Sequence, residues 1–298
     1  MRFKVHSPEP GEAHPPIPFV HAEARLVESL WRPVHTLLPF DQELGASVVH
    51  LAGHGRAGDG QDAALLVGRE QTLGLHELLR SLLRPQVVYL SACLVGRTSE
   101  DLDGEPLGMV SGFFLRGARS VIAPLVPISD LYSPLLAVLF HWELRRQHDQ
   151  GQALDASQAL QWAKARLADG DWPEEVAQRV RSAYAGTFKE ALAEILHGCV
   201  RDAEGRTMDL HRELMATVRA WMLELYPIGV LADLRDSIDH MRMAQGPEAA
   251  ARGGAEQLAG LLVDARQRLH QQRSVQDLLR YMQVYGAPRQ TGSKACPR

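Results

Sequence analysis

Two side chains able to do nucleophilic chemistry stand at equivalent places in two similar segments. His54 follows the apolar run SVVHLAG (47–53) and lies between Gly53 and Gly55, while Cys93 closes the apolar run VVYLSAC (87–93). A thiolate is the reactive form of cysteine, and a nearby imidazole can generate it and later return the proton to a leaving amine. If the two runs are neighbouring strands, they lie about 4.8 Å apart and the two side chains meet across one crevice. Gly55, without a side chain, can turn its amide to the same space and, with the amide of Cys93, hold an oxyanion. Asp130 follows the next apolar run, SVIAPLV (120–126), where its carboxylate can cap a helix beginning near 131–134. Taken singly these residues have ordinary explanations, since a strand-end cysteine is often a small buried apolar group and His-Gly often a turn. Their coincidence at matching strand ends sets them apart.

The segments that must position them alternate between strand and helix. RFKVHS (2–7) reads as a strand, 20–31 as an amphipathic helix, 47–53 as a buried strand, 63–68 as a short strand and 74–83 as a helix stopped by Pro85. Strand 87–93 follows, then an acidic loop (98–105), a helix over 107–117, strand 120–126 and helices over 134–147 and 154–168. Near-continuous apolar strands separated by helices call for a mostly parallel sheet covered on both faces, an α/β three-layer sandwich. Twelve of the 17 prolines fall in residues 1–150, and the rest of the chain has a different texture. From Trp172 onward, segments through VQDLLRYMQVYG (275–286) carry apolar residues at three- and four-residue spacing, broken at Gly205, Pro227 and Gly246-Pro247. The expected organisation is an α/β domain over 1–169, an all-α region over 170–288 and a loose tail over 289–298.

Composition narrows the function classes. At 45% hydrophobic and 23% charged, the 298 residues describe a globular chain with a large core. Three scattered cysteines (Cys93, Cys199, Cys296) make neither a disulfide framework nor a metal cluster, and a reducing cytoplasm is the expected location. A formal charge of -4 gives no global attraction to nucleic acid. No apolar run approaches the roughly 18 residues of a membrane helix, and the amino terminus has no secretory pattern. His6, His14, His21, His35, His76 and His141 show no HExxH spacing, and no metal or cofactor is expected. His50, inside a strand, reads as packed or paired. Gly53, Gly55, Gly58 and Gly60 do not make a dinucleotide fingerprint, and Trp162, Trp172 and Trp221 read as core.

VVHLAGHG (48–55), VVYLSACLVG (87–96) and GMVSGFFLRGARSVIAPLVPISD (108–130), taken together and in this order, resemble the CHAT branch of the caspase-like cysteine peptidases, relatives of caspases, gingipains, separases and legumains. The similarity covers about 46–168, is weaker over 1–45 and is not seen beyond 170. It implies a caspase-type fold, with His54 as general base and Cys93 as nucleophile of peptide-bond hydrolysis, and with Asp130 at an acidic position that in related sheets lines the first specificity pocket and pairs with Arg or Lys of a substrate. Leu125-Val126-Pro127 replaces the family's Trp-containing turn, and Leu94-Val95 replaces its polar residues after the cysteine, so the substrate pocket departs from the pattern.

A cytoplasmic endopeptidase needs restraint. The resemblance implies a regulated effector in a bacterial defence or stress cascade, with a protein substrate and an upstream activating protease or a regulatory protein as partners. Cleavage near Arg97 or Arg252 is one expected trigger. The helical region either docks partners or covers a sheet edge. The alternative function is an idle caspase-like scaffold that binds partners through its helices.

Overall fold

The computed structural model describes residues 1–6, 17–31, 35–36, 47–56, 64–68, 71–93, 108–201 and 228–286. The amino-terminal part supplies β1 (Arg2–Val5), α1 (Phe19–Leu30), β2 (His35–Thr36), β3 (Val48–Ala52), β4 (Gly55–Arg56), β5 (Ala64–Gly68), β6 (Gln71–Gly74) and α2 (Leu75–Arg80). Then come β7 (Val87–Ser91), α3 (Met109–Leu115), β8 (Ser120–Pro124), α4 (Ser133–Asp149), α5 (Ala156–Asp169) and α6 (Glu174–Arg201). Beyond residue 227 lie α7 (Ile228–Gln245), α8 (Pro247–Asp264), a 3-10 helix (Arg266–Gln271), α9 (Arg273–Tyr281) and β9 (Met282–Tyr285).

Six strands form the main sheet in the order β2-β1-β3-β7-β8-β9. All neighbours are parallel except β8 and β9. The pleat sorts the strand residues to two sides. Val48, Val87, Tyr89 and Ile122 join the core built with α1, α4, α5 and α6. Val49, Leu51, Val88, Leu90, Val121 and Ala123 join a second core with α2, α3, β5 and β6. Every residue of β3 and β7 is therefore buried, which explains why these strands read as unbroken apolar runs. The three-layer sandwich expected from the alternation of elements is the architecture observed.

One expected strand joins a second sheet, and one expectation is corrected. AALLVG (63–68) carries the strand β5, but β5 pairs antiparallel with β4 and β6 in a separate three-stranded sheet. A short apolar run has the same pattern whether it enters a large sheet or a small one. The region from 170 is not helical throughout, because helix α9 ends at Tyr281 and Met282–Tyr285 pairs along β8. Val284 and Tyr285 suit a strand, and β8 offers an otherwise unpaired edge. Lys164 Nζ also donates to the Met282 carbonyl at 2.6 Å.

The helical region consequently shares its core with the α/β part. One apolar cluster runs from Phe19 through Phe140, Tyr184 and Leu258 to Met282. Helix α6 packs along α1 and α8, and α7 packs on α8. Trp172 is buried, and Trp162 stacks on Trp142 with ring centroids 5.4 Å apart. Residues 202–227, the acidic loop 98–105, Arg97, Trp221 and the tail with Cys296 lie outside the described residues.

Candidate active site

The register of β3 on β7 brings His54 and Cys93 to equivalent positions just past the ends of two neighbouring strands. The pairing runs from Val48–Val87 to Ala52–Ser91, and the Gly53 N–H donates to the Ser91 carbonyl at 3.2 Å, extending the ladder by one step. His54 and Cys93 each stand two residues beyond the last pair, at the carboxyl ends of adjacent parallel strands, and both are half-buried. Sites in open α/β sheets form at this edge because loops and helix amino termini converge there.

Gly53 is required by close packing rather than by flexibility. A Cβ at this position would lie 2.8 Å from the Leu66 carbonyl oxygen and 3.2 Å from that of His6. The chain then peels away from the main sheet, and the His54 carbonyl accepts the Leu66 N–H at 2.9 Å. With Gly55 opposite Leu65, that bond makes Gly55–Leu65 a non-hydrogen-bonded pair of the antiparallel ladder. The Gly55 amide is thus turned away from β5, on the outer side of β4, an edge strand.

Cys93 is half-buried, with one residue facing its sulfur from β8's trailing loop. The Ile128 N–H donates to Sγ at 3.4 Å, and the Ile128 carbonyl lies 3.9 Å from the same sulfur. Asp130, two residues further on, accepts the Phe19 N–H at 3.1 Å. It therefore caps α1, whose own N-cap position is Pro18, and not the helix that follows it, where Tyr132 is the N-cap and no side chain caps. Burial pushes the Asp130 carboxyl up to about 7; the Phe19 N–H opposes this, Glu23 adds to it, and the Val20 N–H opposes it.

Behind the strand ends lies a buried polar chain that sequence reasoning did not assemble. The Trp31 indole N–H donates to His141 Nδ1 at 3.2 Å, and His141 Nε2 lies 3.0 Å from His50 Nδ1. An indole only donates, so it sets the direction of the chain. His141 must carry its proton on Nε2 and give it to His50 Nδ1, which leaves the His50 proton on Nε2. That nitrogen faces Glu23 Oε1 at 3.2 Å, close in distance but without hydrogen-bond alignment. Glu23 Oε2 accepts the Ser91 hydroxyl at 3.0 Å and lies 3.5 Å from the Ser133 hydroxyl. Burial, with His50 as a second cause, holds the His141 imidazole well below its usual range, in keeping with the neutral tautomer. His50 is thus paired, as expected, and Tyr89 stacks on it at 5.2 Å. The legible signal was a polar residue in an apolar context three times over: Glu23 on the buried face of α1, His50 inside VVHLAG and His141 inside LLAVLFHWEL. Their partners are 27 to 110 residues apart and could not be matched from spacing.

Two clefts lie elsewhere on the described residues. One of about 970 Å³ is walled by α6, α7 and α8 and includes Arg181 and Glu256. The other, about 1020 Å³, lies between α3, α5 and the start of β8. Residues 57–63 and 94–107, which follow the two strand ends in sequence, are outside the described residues. No group of three or more His, Cys, Asp or Glu able to hold a metal occurs among the described residues.

Comparison with known families decides the kinship, for the CHAT domain family matches residues 13–188, more than half of the chain. The chain belongs to the CHAT domain family. Its match reaches beyond the 46–168 span of the motifs into the first half of α6, consistent with the packing of that helix on α1. CHAT proteins fall among caspase-like cysteine peptidases. A search of curated proteins returns no match. Among solved structures, the chain is similar to the crystal structure of the Arg-specific cysteine proteinase gingipain R, at 13% identity and a TM-score of 0.35. The similarity covers 55% of this chain and 40% of that one. No described helix is long and apolar enough to cross a membrane.

Proposed function

We propose that this CHAT protein is a cysteine endopeptidase with His54 and Cys93 as its catalytic pair. His54 takes the thiol proton, and the Cys93 sulfur attacks the scissile carbonyl carbon. The amides of Gly55 and Cys93 receive the oxyanion. Collapse expels the amine, protonated by His54, and leaves a thioester on Cys93. Water, deprotonated by His54, then releases the carboxylate product and restores the thiol. The observation that carries this reading is the β3–β7 register, which brings both residues to the same step beyond the last strand pair, with the Gly55 amide turned away from its ladder.

A preference for Arg or Lys before the cleaved bond belongs to the same proposal and rests on Asp130 at this edge of the sheet. A cation bound near a carboxyl already raised to about 7 would draw off its proton and gain a full charge pair. Fluorogenic peptides ending in Arg or Lys should be cleaved by the wild-type chain and not by Cys93→Ala or His54→Ala. Absence of turnover across a broad peptide library, with and without candidate partners, would instead support the idle scaffold.

Regulation as an effector in a bacterial defence or stress cascade completes the proposal, with a partner on the helical region as the favoured trigger. Arg252 lies within α8, and a helix must unwind before it can enter an extended peptide-binding site. A chain that becomes fully active only after scission there, seen by mass spectrometry, would reverse that preference.

A further inference from the structure

The loop between β8 and α4 is tied down just beyond the residue that touches the sulfur. Ile128 meets Cys93 through its N–H at 3.4 Å. Asp130 is bonded to the Phe19 N–H of α1, with the Val20 N–H as a second backbone partner. One residue on, the Leu131 carbonyl accepts the Tyr184 hydroxyl of α6 at 2.5 Å. The Phe19 ring stacks on Tyr184 at 5.4 Å and meets Phe188 edge-on at 5.2 Å, so α1 and α6 form one support. Arg25 of α1 strengthens it by reaching Thr187 and Glu190 of α6.

We propose that Asp130 and Tyr184 are positioning residues that hold the Ile128 amide against Cys93, so that this amide stabilises the thiolate. The inference rests on Cys93 being the nucleophile of the proposed function. An N–H aimed at sulfur is a better partner for the anion than for the thiol. The carbonyl of the same residue lies further away, at 3.9 Å, and its interaction with S–H is lost on ionisation. Other ionisable groups of this neighbourhood are His54 beyond β3, Glu23 on α1, and Tyr132 and Tyr184 beside Asp130. The arrangement gives the helical region a path to the nucleophile, since a displacement of α6 pulls on Leu131 and hence on Ile128.

The test is alkylation of the full-length chain by iodoacetamide, with Cys93 resolved from Cys199 and Cys296 by peptide mass spectrometry. At pH 7, Asp130→Ala should slow Cys93 modification about tenfold, the loss of one charge-assisted hydrogen bond. Tyr184→Phe should slow it about threefold, since it loosens the loop at one remove. At pH 10, where the thiol is ionised without help, both variants should match the wild type. Asp130→Asn, whose amide oxygen can still accept from Phe19, should recover most of the pH 7 rate. Tyr184→Phe keeps the ring between Phe19 and Phe188 and carries the test if Asp130→Ala does not fold. Wild-type rates at pH 7 in the variants, or equal slowing at both pH values, would overturn the proposal. Alkylation needs no substrate, so a wild-type chain that cleaves no peptide yet shows these differences contradicts only the peptidase reading.

Discussion

The two faces of the main sheet are made from the same strands and have opposite chemistry. On the side of α2 and α3, the core of Val49, Leu51, Val88, Leu90, Met109 and Phe113 is apolar, and the one buried polar side chain nearby, Ser81, is bonded to its own helix through Leu78. On the side of α1 and α4, two residues of the same strands, His50 and Ser91, meet Glu23, Ser133 and His141, all buried. An apolar face needs only volume and shape, whereas a buried polar chain is stable only in one arrangement, because each unmatched group carries its desolvation cost. The first face supports the sheet, and the second fixes where β3, β7, α1 and α4 sit relative to one another near the paired strand ends.

Substitutions on the two faces should separate these roles. Phe113→Ala, on the apolar face, should lose about 3–5 kcal/mol of stability in urea unfolding. In its folded fraction the Cys93 alkylation rate should stay at the wild-type value. Glu23→Ala should cost about 3 kcal/mol, because the Ser91 hydroxyl loses its buried acceptor and the His50 imidazole loses the carboxylate beside it. Unlike Phe113→Ala, it should also slow alkylation, and an unchanged rate would remove the distinction between the faces.

A pH-dependent difference comes next. The Asp130 carboxyl binds its proton more tightly in the folded chain than in the unfolded one. Its contribution is therefore full below about pH 4 and is lost as pH rises to about 7, by about 4 kcal/mol at most. Asp130→Asn should remove that slope from the stability curve measured by urea unfolding at successive pH values. The smallest effect belongs to Trp31→Phe, at about 1 kcal/mol. It takes away the donor that sets the direction of the histidine chain, and the C2 proton signals of His50 and His141 should shift together in NMR spectra. A shift of one signal without the other would show that the chain is not coupled.

Legibility followed the range of the interaction. The strands 48–52 and 87–91 and the helices 19–30 and 133–149 could be read from periodicity because the pattern that buries them is local. His54 and Cys93 stood out because two similar strand-end segments carried them. The strand at 282–285 was hidden behind a helical run, since its pairing with β8 lies 164 residues away in the Val121–Tyr285 match. Asp130 was read against the helix next to it in sequence, while its partner, the amino terminus of α1, is 111 residues distant.

The sequence by itself determined the three-layer class, the CHAT motifs and the pair of residues on which a peptidase reading depends. Only the tertiary structure decided that Asp130 caps α1, that Glu23, His50, His141 and Trp31 form one directed chain, and that Ile128 faces the sulfur. The reason is physical. Burial pattern is a property of a segment, whereas a hydrogen-bond partner is a property of the space in which distant segments meet.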